Sequence, residues 1–288
     1  MNQKENRDPQ KRGLYRRSSD SDIFYYIGKF SFLTAQELAA LSDRNAVSLR
    51  KRLRQLVFSN YLGRTEGTEQ RQEFFEEIKC KKCGTVNPIP RSNGKLKPNP
   101  FFHYLKEKGG AKAEALLDNP IAWKSKAPGR VDHDRVITTI HLALDHAFGK
   151  ELADWRQQKD DVKETVILGG ERVNFYPDAR CLLSVPLYIE YANSEPSSKD
   201  GVNDIVLKVQ RYNELMKEYR RHHDDDPGKV LFIFRERIMV ENFLNRIARE
   251  FPYLWCYATD FESVKHNPTG KIFWTPKDFD DRAHGLIE

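Results

Sequence analysis

The sequence has no long apolar run and few cysteines. Nowhere in its 288 residues do 18 consecutive positions remain apolar, so we expect no membrane span. Its four cysteines, at positions 80, 83, 181 and 256, are scattered and do not follow the spacing of a disulfide framework. Residues 1–20 are polar, lack the apolar region of a secretory signal and are expected to form a disordered tail. Together these absences predict a cytoplasmic protein.

The composition indicates a folded and basic protein. Hydrophobic residues make up 39% of the chain and aromatic residues 11%, which is enough to form a core. The length leaves room for roughly two domains. The 48 Lys and Arg residues outnumber the 42 Asp and Glu residues, so the net charge is +6 and the pI is about 9.0. Such a balance is compatible with a polyanionic partner.

The first predicted domain covers residues 21–119 and contains two adjacent helical patterns. Thr34, followed by Glu37 three residues later, is typical of a capping box at the start of a helix. After a polar break at 42–45, a second helix is predicted from apolar residues at roughly helical spacing. These residues are Val47, Leu49, Leu53, Leu56 and Val57. Two helices joined by a short turn predict a helix-turn-helix.

The second of these helices is strongly basic. It carries Arg50, Lys51, Arg52 and Arg54, and such cations can reach phosphates and guanine edges in a major groove. The alternative is an ordinary solvated basic face. The segment 61–64 and the start of 101–117 are predicted to be two strands of a wing, followed by a closing helix. We therefore predict a winged helix-turn-helix that binds double-stranded DNA.

The predicted wing contains an insertion with two closely spaced cysteines. Cys80 and Cys83, followed by Gly84, have the spacing of a zinc knuckle. Zinc requires four ligands, and the sequence has no second pair of this kind. His103 could add one ligand, and a second chain could complete the site. The alternative is two free thiols in a basic loop, while Cys181 and Cys256 lie in apolar runs that predict core positions.

The second predicted domain covers residues 131–288 and follows a linker at 120–130. The linker is predicted from its prolines and glycine. Apolar residues at four-residue steps predict an amphipathic helix at 133–155. The fold class expected for the whole chain is α/β (α+β), with helices on both faces of a sheet. The elements expected after the first helix are strands at 162–169, 179–183 and 185–189, a helix at 202–223, a strand at 229–234, a helix at 237–250, and strands near 254–259 and 271–276.

Two carboxylates border the adjacent strands of this domain. Asp178 precedes one strand and Glu190 closes the next, and two close carboxylates repel each other unless a cation lies between them. Carboxylate oxygens are the ligands that Mg²⁺ prefers, so we predict a site for Mg²⁺ or Mn²⁺ that acts on a phosphodiester. Lys208, with Tyr212 one turn further along its helix, would supply positive charge. The alternative is a pair of acids in salt bridges with Arg180 or Lys208.

A resemblance to a known family rests on these same residues. The segments "PDA", "YIEYANS" and "LKVQRY", together with the helix "HDRVITTIHLAL", are similar to the replication-relaxation family, the plasmid mobilisation proteins of MobC type. The likeness covers most of residues 30–260. It implies a winged helix followed by a PD-(D/E)XK-like, restriction-endonuclease-like αβββαβ domain. Asp178 and Glu190 match the acidic positions of that pattern, and Lys208 with Tyr212 resembles its helix motif.

The resemblance also implies a function. The chain would bind double-stranded DNA at a plasmid origin-type site and nick it with a metal-dependent centre, as a homodimer or with other mobilisation proteins. It departs from the wider nuclease fold at Ala192, where a lysine usually stands two residues after the glutamate. The alternative function is therefore a non-catalytic DNA-binding accessory factor or transcriptional regulator with an inactive nuclease fold.

Overall fold

The computed structural model describes most of the chain in two compact units. The units are Met1–Asp132 and His133–Glu288. Among the helices described, none combines the length and apolar composition needed to cross a bilayer. The described residues are 20–66, 101–117, 128–157, 162–192, 199–222, 228–246, 250–251, 254–276 and 283–286. The predicted tail up to residue 19, the cysteine insertion and residues 118–127 of the predicted linker region lie outside them.

The first unit packs four helices with a small antiparallel sheet. The sheet has the order β1-β3-β2, and the central strand pairs with both neighbours. The strands at 61–64 and at the start of 101–117 are confirmed, as is the helix that follows them. The elements are α1 (Asp20–Phe30), β1 (Leu33–Thr34), α2 (Ala35–Ser42), α3 (Ala46–Phe58), β2 (Leu62–Glu66), β3 (Phe101–Leu105) and α4 (Glu107–Leu117).

Local capping defines where α2 and α3 begin. The predicted capping box is confirmed, because the Glu37 amide donates to Thr34 Oγ1 and the Thr34 amide donates to Glu37 Oε2. The left-handed backbone of Asp43, with φ of 53°, ends α2. Asn45 then caps α3, its side-chain oxygen accepting hydrogen bonds from the amides of Val47 and Ser48. The chain therefore turns sharply between the two helices.

The buried face of α3 differs from the predicted one at Val47. Leu49, Leu53 and Leu56 are buried as predicted, but Val47 is 72% exposed. The reason is geometric, since positions two apart on a helix lie on nearly opposite sides. The Val47 side chain, two residues before Leu49, therefore points away from the buried face of α3.

The second unit contains a five-stranded mixed sheet and a separate hairpin. The order is β10-β9-β8-β7-β4 for the sheet, and β5 pairs with β6. Here β4 is Ala153–Arg156, β5 Glu164–Leu168, β6 Glu171–Phe175, β7 Ala179–Leu182, β8 Pro186–Ala192, β9 Lys229–Phe234 and β10 Cys256–Asp260. The helices of this part are α5 (Pro128–Phe148), α6 (Lys199–His222), α7 (Arg237–Arg246) and α8 (Phe261–His266).

The strand directions change along the sheet from antiparallel pairing to parallel pairing with crossover connections. β7 pairs with β4 and β8 antiparallel, whereas β8, β9 and β10 are parallel neighbours. The connection through α6 joins β8 to β9, and α7 joins β9 to β10, as parallel pairing requires. Buried residues of α6, α7 and the strands form one core cluster, which includes Cys256. Cys181 is also buried, so the predicted core positions of both cysteines are confirmed.

One predicted helix end and one predicted sheet partner in this unit were wrong. The helix predicted at 133–155 ends at Phe148, because Gly149 adopts φ of 57°, and Ala153–Arg156 is the edge strand β4. The strand predicted at 162–169 is confirmed as β5, but it does not join the main sheet. It turns back through Gly169 and Gly170, with φ of 59° and 88°, into β6, which was not predicted. Positive φ at both central residues is the requirement of a tight hairpin turn.

The predicted mixed α/β class is confirmed, but the predicted order αβββαβ was incomplete. Of the strands described between α5 and α6, only β4, β7 and β8 belong to the main sheet, while β5 and β6 form the hairpin. The segment 128–130, predicted as linker, lies within α5. The region 271–276 contributes an antiparallel bridge between Trp274 and Ala258, beside β10.

Candidate functional site

The two predicted acids lie side by side on β7 and β8. Asp178 immediately precedes β7, and its amide donates to the carbonyl oxygen of Ile189 at 3.1 Å. Glu190 lies inside β8 and not at its end as predicted, because that strand continues to Ala192. The register pairs Ala179 with Ile189, which brings the side chains of Asp178 and Glu190 to one place.

Glu190 is enclosed by two residues of α6. The Lys208 ammonium donates to Glu190 Oε2 at 2.6 Å, and the Tyr212 hydroxyl donates to Oε1 at 2.7 Å. The Glu190 side chain is only 1% exposed, and Tyr212 is fully buried among core aromatic rings. Tyr212 therefore orients Glu190 from inside the core and does not face solvent. The predicted proximity of Lys208 and Tyr212 to Glu190 is present in the structure.

One oxygen of Asp178 lies close to an amide, an imidazole and an ammonium. Oδ2 accepts from the Tyr191 amide at 2.8 Å and lies 3.2 Å from His133 Nε2 and 3.8 Å from Lys208 Nζ. Among the described residues, none donates to the other oxygen, Oδ1. Lys208 thus lies between the two acids, with Asp178 on the more exposed side at 15% and Glu190 on the buried side. The predicted alternative partner Arg180 instead lies 3.6 Å from Glu164.

The pKa values of the two acids are moved in opposite directions. Burial raises the pKa of Glu190 to about 7, assisted by the nearby charge of Asp178 and opposed by Lys208 and Tyr212. Burial also opposes ionisation of Asp178. The charge of Lys208, His133 and the Tyr191 amide outweigh it and lower the pKa of Asp178 to about 2. One ammonium between two carboxylates compensates one of them fully, so the acids titrate as an unequal pair.

His133 is the member of the site that was not predicted. It lies near the start of α5, and burial, which lowers its pKa, is outweighed by its hydrogen bond to Asp178, which raises it. Its ring also meets Tyr191 edge-on, with centroids 5.9 Å apart. A signal was available in the sequence, because His133 precedes the buried residue Ile137 by one helical turn. A polar residue in line with a buried stripe faces the interior and needs a partner there.

The donor set suits a hard cation with incomplete protein ligation. Oδ1 of Asp178 and the carboxylate of Glu190 are the oxygens that could hold Mg²⁺ or Mn²⁺. Within the described ranges, no group of three or more His, Cys, Asp or Glu side chains is arranged to hold a metal ion. A cation here would therefore complete its shell with water or phosphate oxygens, as Mg²⁺ commonly does.

The predicted DNA-contacting cations of α3 divide into two groups. Arg50, Lys51 and Arg54 are exposed. Arg52 turns the other way and forms a two-point ion pair with Asp20 of α1, at 2.9 and 2.5 Å. The side chain of Asp20 is only 6% exposed, so this pair ties α1 to α3. Arg52 thus stabilises the packing of α1 on α3, and its predicted contact with DNA stays a prediction.

Of the predicted zinc ligands, only His103 lies among the described residues. Cys80 and Cys83 lie outside the described residues. His103 lies on the central strand β3, opposite Leu33, and is 7% exposed. Burial lowers the pKa of His103 to about 4, so its ring is neutral at physiological pH.

No family model, curated protein or solved structure matches the chain.

Proposed function

We propose that the chain is a double-stranded DNA-binding protein of the plasmid mobilisation type that nicks DNA with a divalent cation held by Asp178 and Glu190. Its first unit would be a winged helix and its second a restriction-endonuclease-like domain. Both assignments go beyond the mixed α/β class, and each is supported by a separate feature of the molecule.

The DNA-binding part is supported by the element order of the first unit. Three helices and a three-stranded antiparallel sheet in the order α1-β1-α2-α3-β2-β3 are those of a winged helix, in which the third helix enters the major groove. On α3, Arg50, Lys51 and Arg54 extend into solvent, where they can neutralise phosphates. The net charge of +6 favours the same partner.

The nicking part depends on one observation, the position of the Lys208 ammonium between two acids. It lies 2.6 Å from Glu190 and 3.8 Å from Asp178, on a helix that follows the acidic strands. Two acids on adjacent strands of a mixed sheet, with a lysine from the following helix, are groups that metal-dependent phosphodiester cleavage can use. The ammonium comes from Lys208 on α6. The site therefore contains a positive charge although position 192 on β8 is an alanine and not a lysine.

Each side chain has a separate task in this proposal. A bound divalent cation would polarise the phosphate and lower the pKa of an attacking water. Asp178 presents Oδ1, and its other oxygen is fixed by Tyr191 and His133. Tyr212 holds Glu190 in place from the core. Lys208, 22% exposed, is the group that can turn from Glu190 to the phosphate and stabilise its negative charge.

A second candidate is a DNA-binding accessory factor without catalysis. It is favoured by the fact that both oxygens of Glu190 already accept hydrogen bonds from protein donors. Lys208 also compensates one negative charge of the pair without any metal. In this case the cluster is a buried ion pair that stabilises the fold, as in the salt-bridge alternative for these residues.

Nicking of supercoiled plasmid DNA separates the two candidates. The wild-type chain should convert it to open circles with Mg²⁺ or Mn²⁺ and not with a chelator. Asp178→Ala should abolish the reaction, because it removes the accessible ligand oxygen. Lys208→Ala should slow it while metal binding persists, because an ammonium is not a ligand. Glu164→Ala is the matched control, since Glu164 is a half-buried acid in an ion pair with Arg180 outside the cluster.

Two results would contradict nicking at Asp178 and Glu190. A wild-type chain that binds duplex DNA but leaves it intact with every divalent cation would favour the accessory factor. Cleavage that survives in Asp178→Ala would show that the reaction takes place elsewhere.

A further inference from the structure

The exposed face of α3 contains one apolar residue among its cations. Arg50, Lys51 and Arg54 lie three, four and seven residues after Val47, so all four share one side of the helix. The opposite side is buried through Leu49, Leu53 and Leu56. Val47 is 72% exposed, so it contributes nothing to the core of this unit.

The position of Val47 is fixed by its surroundings. Asn45 Oδ1 accepts hydrogen bonds from the amides of Val47 and Ser48 at 3.0 and 3.1 Å, which orders the first turn of α3. A β-branched side chain on a helix has one strongly preferred rotamer. Val47 therefore presents two methyl groups to solvent in a defined direction. Covering them with an apolar group of a partner would be favourable.

We propose that Val47 is a specificity-determining residue that contacts the C5-methyl group of a thymine in the major groove. This inference depends on the proposed DNA binding by α3. Recognition helices contact base edges mainly through their first residues, and the thymine methyl is the apolar group that the major groove offers. Arg50, Lys51 and Arg54, on the same side, meet the charge of the phosphates.

Charge and spacing favour DNA over a protein partner on this face. The cations beside Val47 oppose an apolar protein interface, whereas they complement a polyanion. The other exposed large apolar residue of α3 is Phe58, which is 84% exposed. Phe58 lies eleven residues later, about 16 Å along the helix axis, so the two do not form one apolar patch.

The test compares thymine with uracil, which lacks the methyl group. Duplexes that bind the full-length chain are first selected from a random library in a chelating buffer, so that no cleavage occurs. Each thymine of the selected site is then replaced singly by deoxyuridine. We expect one replacement to weaken wild-type binding about fourfold, the equivalent of one buried methyl group. Val47→Ala should bind the thymine and uracil duplexes equally at that position.

Phe58→Ala is the control, because it removes an equally exposed apolar side chain from the far end of the same helix. It should retain the wild-type preference for thymine. The inference is wrong if no thymine-to-uracil change affects the wild type, or if Val47→Ala still discriminates between them. A chain that selects no duplex at all would instead contradict the proposed DNA binding, and this inference with it.

Discussion

Glu190 is a carboxylate in a place where burial opposes its charge. Its side chain is 1% exposed and accepts hydrogen bonds from the Lys208 ammonium and the Tyr212 hydroxyl. The same ammonium also lies 3.8 Å from the neighbouring Asp178. Asp178 is the acid that ionises first, because Lys208, His133 and the Tyr191 amide all favour its charged form. Above neutral pH, both carboxylates of the metal-free site are therefore charged and repel each other. An added cation would reduce this repulsion.

This imbalance predicts a pH dependence of stability in the metal-free protein. The pKa of Glu190 is about 7 in the folded chain against 4.5 ordinarily, so the folded state binds more protons between these pH values. The free energy of unfolding should therefore fall as pH rises through that window, by on the order of 2 kcal/mol. Glu190→Gln, which mimics the protonated form, should show a smaller change between pH 5 and pH 8 in urea denaturation.

Two neighbouring groups must be separated from this effect. His133, with a raised pKa, loses stabilising charge as pH rises and acts in the same direction, but it is unchanged in the variant. Asp178, with its pKa lowered from 3.8, stabilises above about pH 4 and loses this contribution only in stronger acid. Glu171→Gln, at an exposed glutamate of β6, is the control. Identical pH profiles for wild type and Glu190→Gln would contradict the assignment.

At the scale of the element, α3 has basic residues with different surroundings on its two sides. Arg52 binds Asp20 and fastens α3 to α1, whereas Arg54, two residues later, extends into solvent. Arg52→Ala should lower the free energy of unfolding by roughly 1–3 kcal/mol, because it leaves the nearly buried Asp20 without its partner. Arg54→Ala should change stability by less than about 0.5 kcal/mol. Urea denaturation of the two variants measures both changes.

In DNA binding, Arg54→Ala should have the larger effect of these two variants. Arg54→Ala should flatten the dependence of log affinity on log salt by about 0.9 for each phosphate that the arginine no longer neutralises, whereas folded Arg52→Ala should keep the wild-type slope. Lys108→Ala, at an exposed lysine of α4, controls for the change in net charge. A slope that is unaltered by Arg54→Ala, also when Arg50 is replaced, would place DNA binding away from α3.

Local signals predicted an element well where a short segment is enough to specify it. Thr34 with Glu37 identified the start of α2, and the apolar run 229–234 identified the buried strand β9. The hairpin β5–β6 was missed because Gly169 and Gly170 were not recognised as a turn, and β6 is too polar to resemble a strand. Its residues are mostly exposed, so composition gave no sign of pairing.

The candidate site was predictable to the extent that it depends on strand order. Asp178 and Glu190 are near each other because antiparallel neighbours β7 and β8 must align, and Lys208 follows on the crossover helix. The contact of His133 with Asp178 and that of Arg52 with Asp20 were not predictable in the same way. They depend on contacts between residues far apart in the chain, such as 133 with 178 and 20 with 52.

At the scale of the whole molecule, the sequence combines a basic surface and an acidic site. The chain carries a net charge of +6, yet in its second unit two carboxylates share one ammonium. A basic surface attracts a polyanion, and acids that retain net negative charge attract a cation. Both properties are required of a protein that holds DNA and a divalent metal together. We expect this cation to bind between Asp178 and Glu190.

Anomalous diffraction from crystals of the full-length chain soaked in Mn²⁺ would locate such a cation directly. We predict one anomalous peak within coordination distance, about 2.1 Å, of Asp178 Oδ1 and a Glu190 oxygen. Lys208 should then have moved away from Glu190, because the cation replaces its charge. The absence of any peak at these acids, with Lys208 still bound to Glu190, would contradict the account.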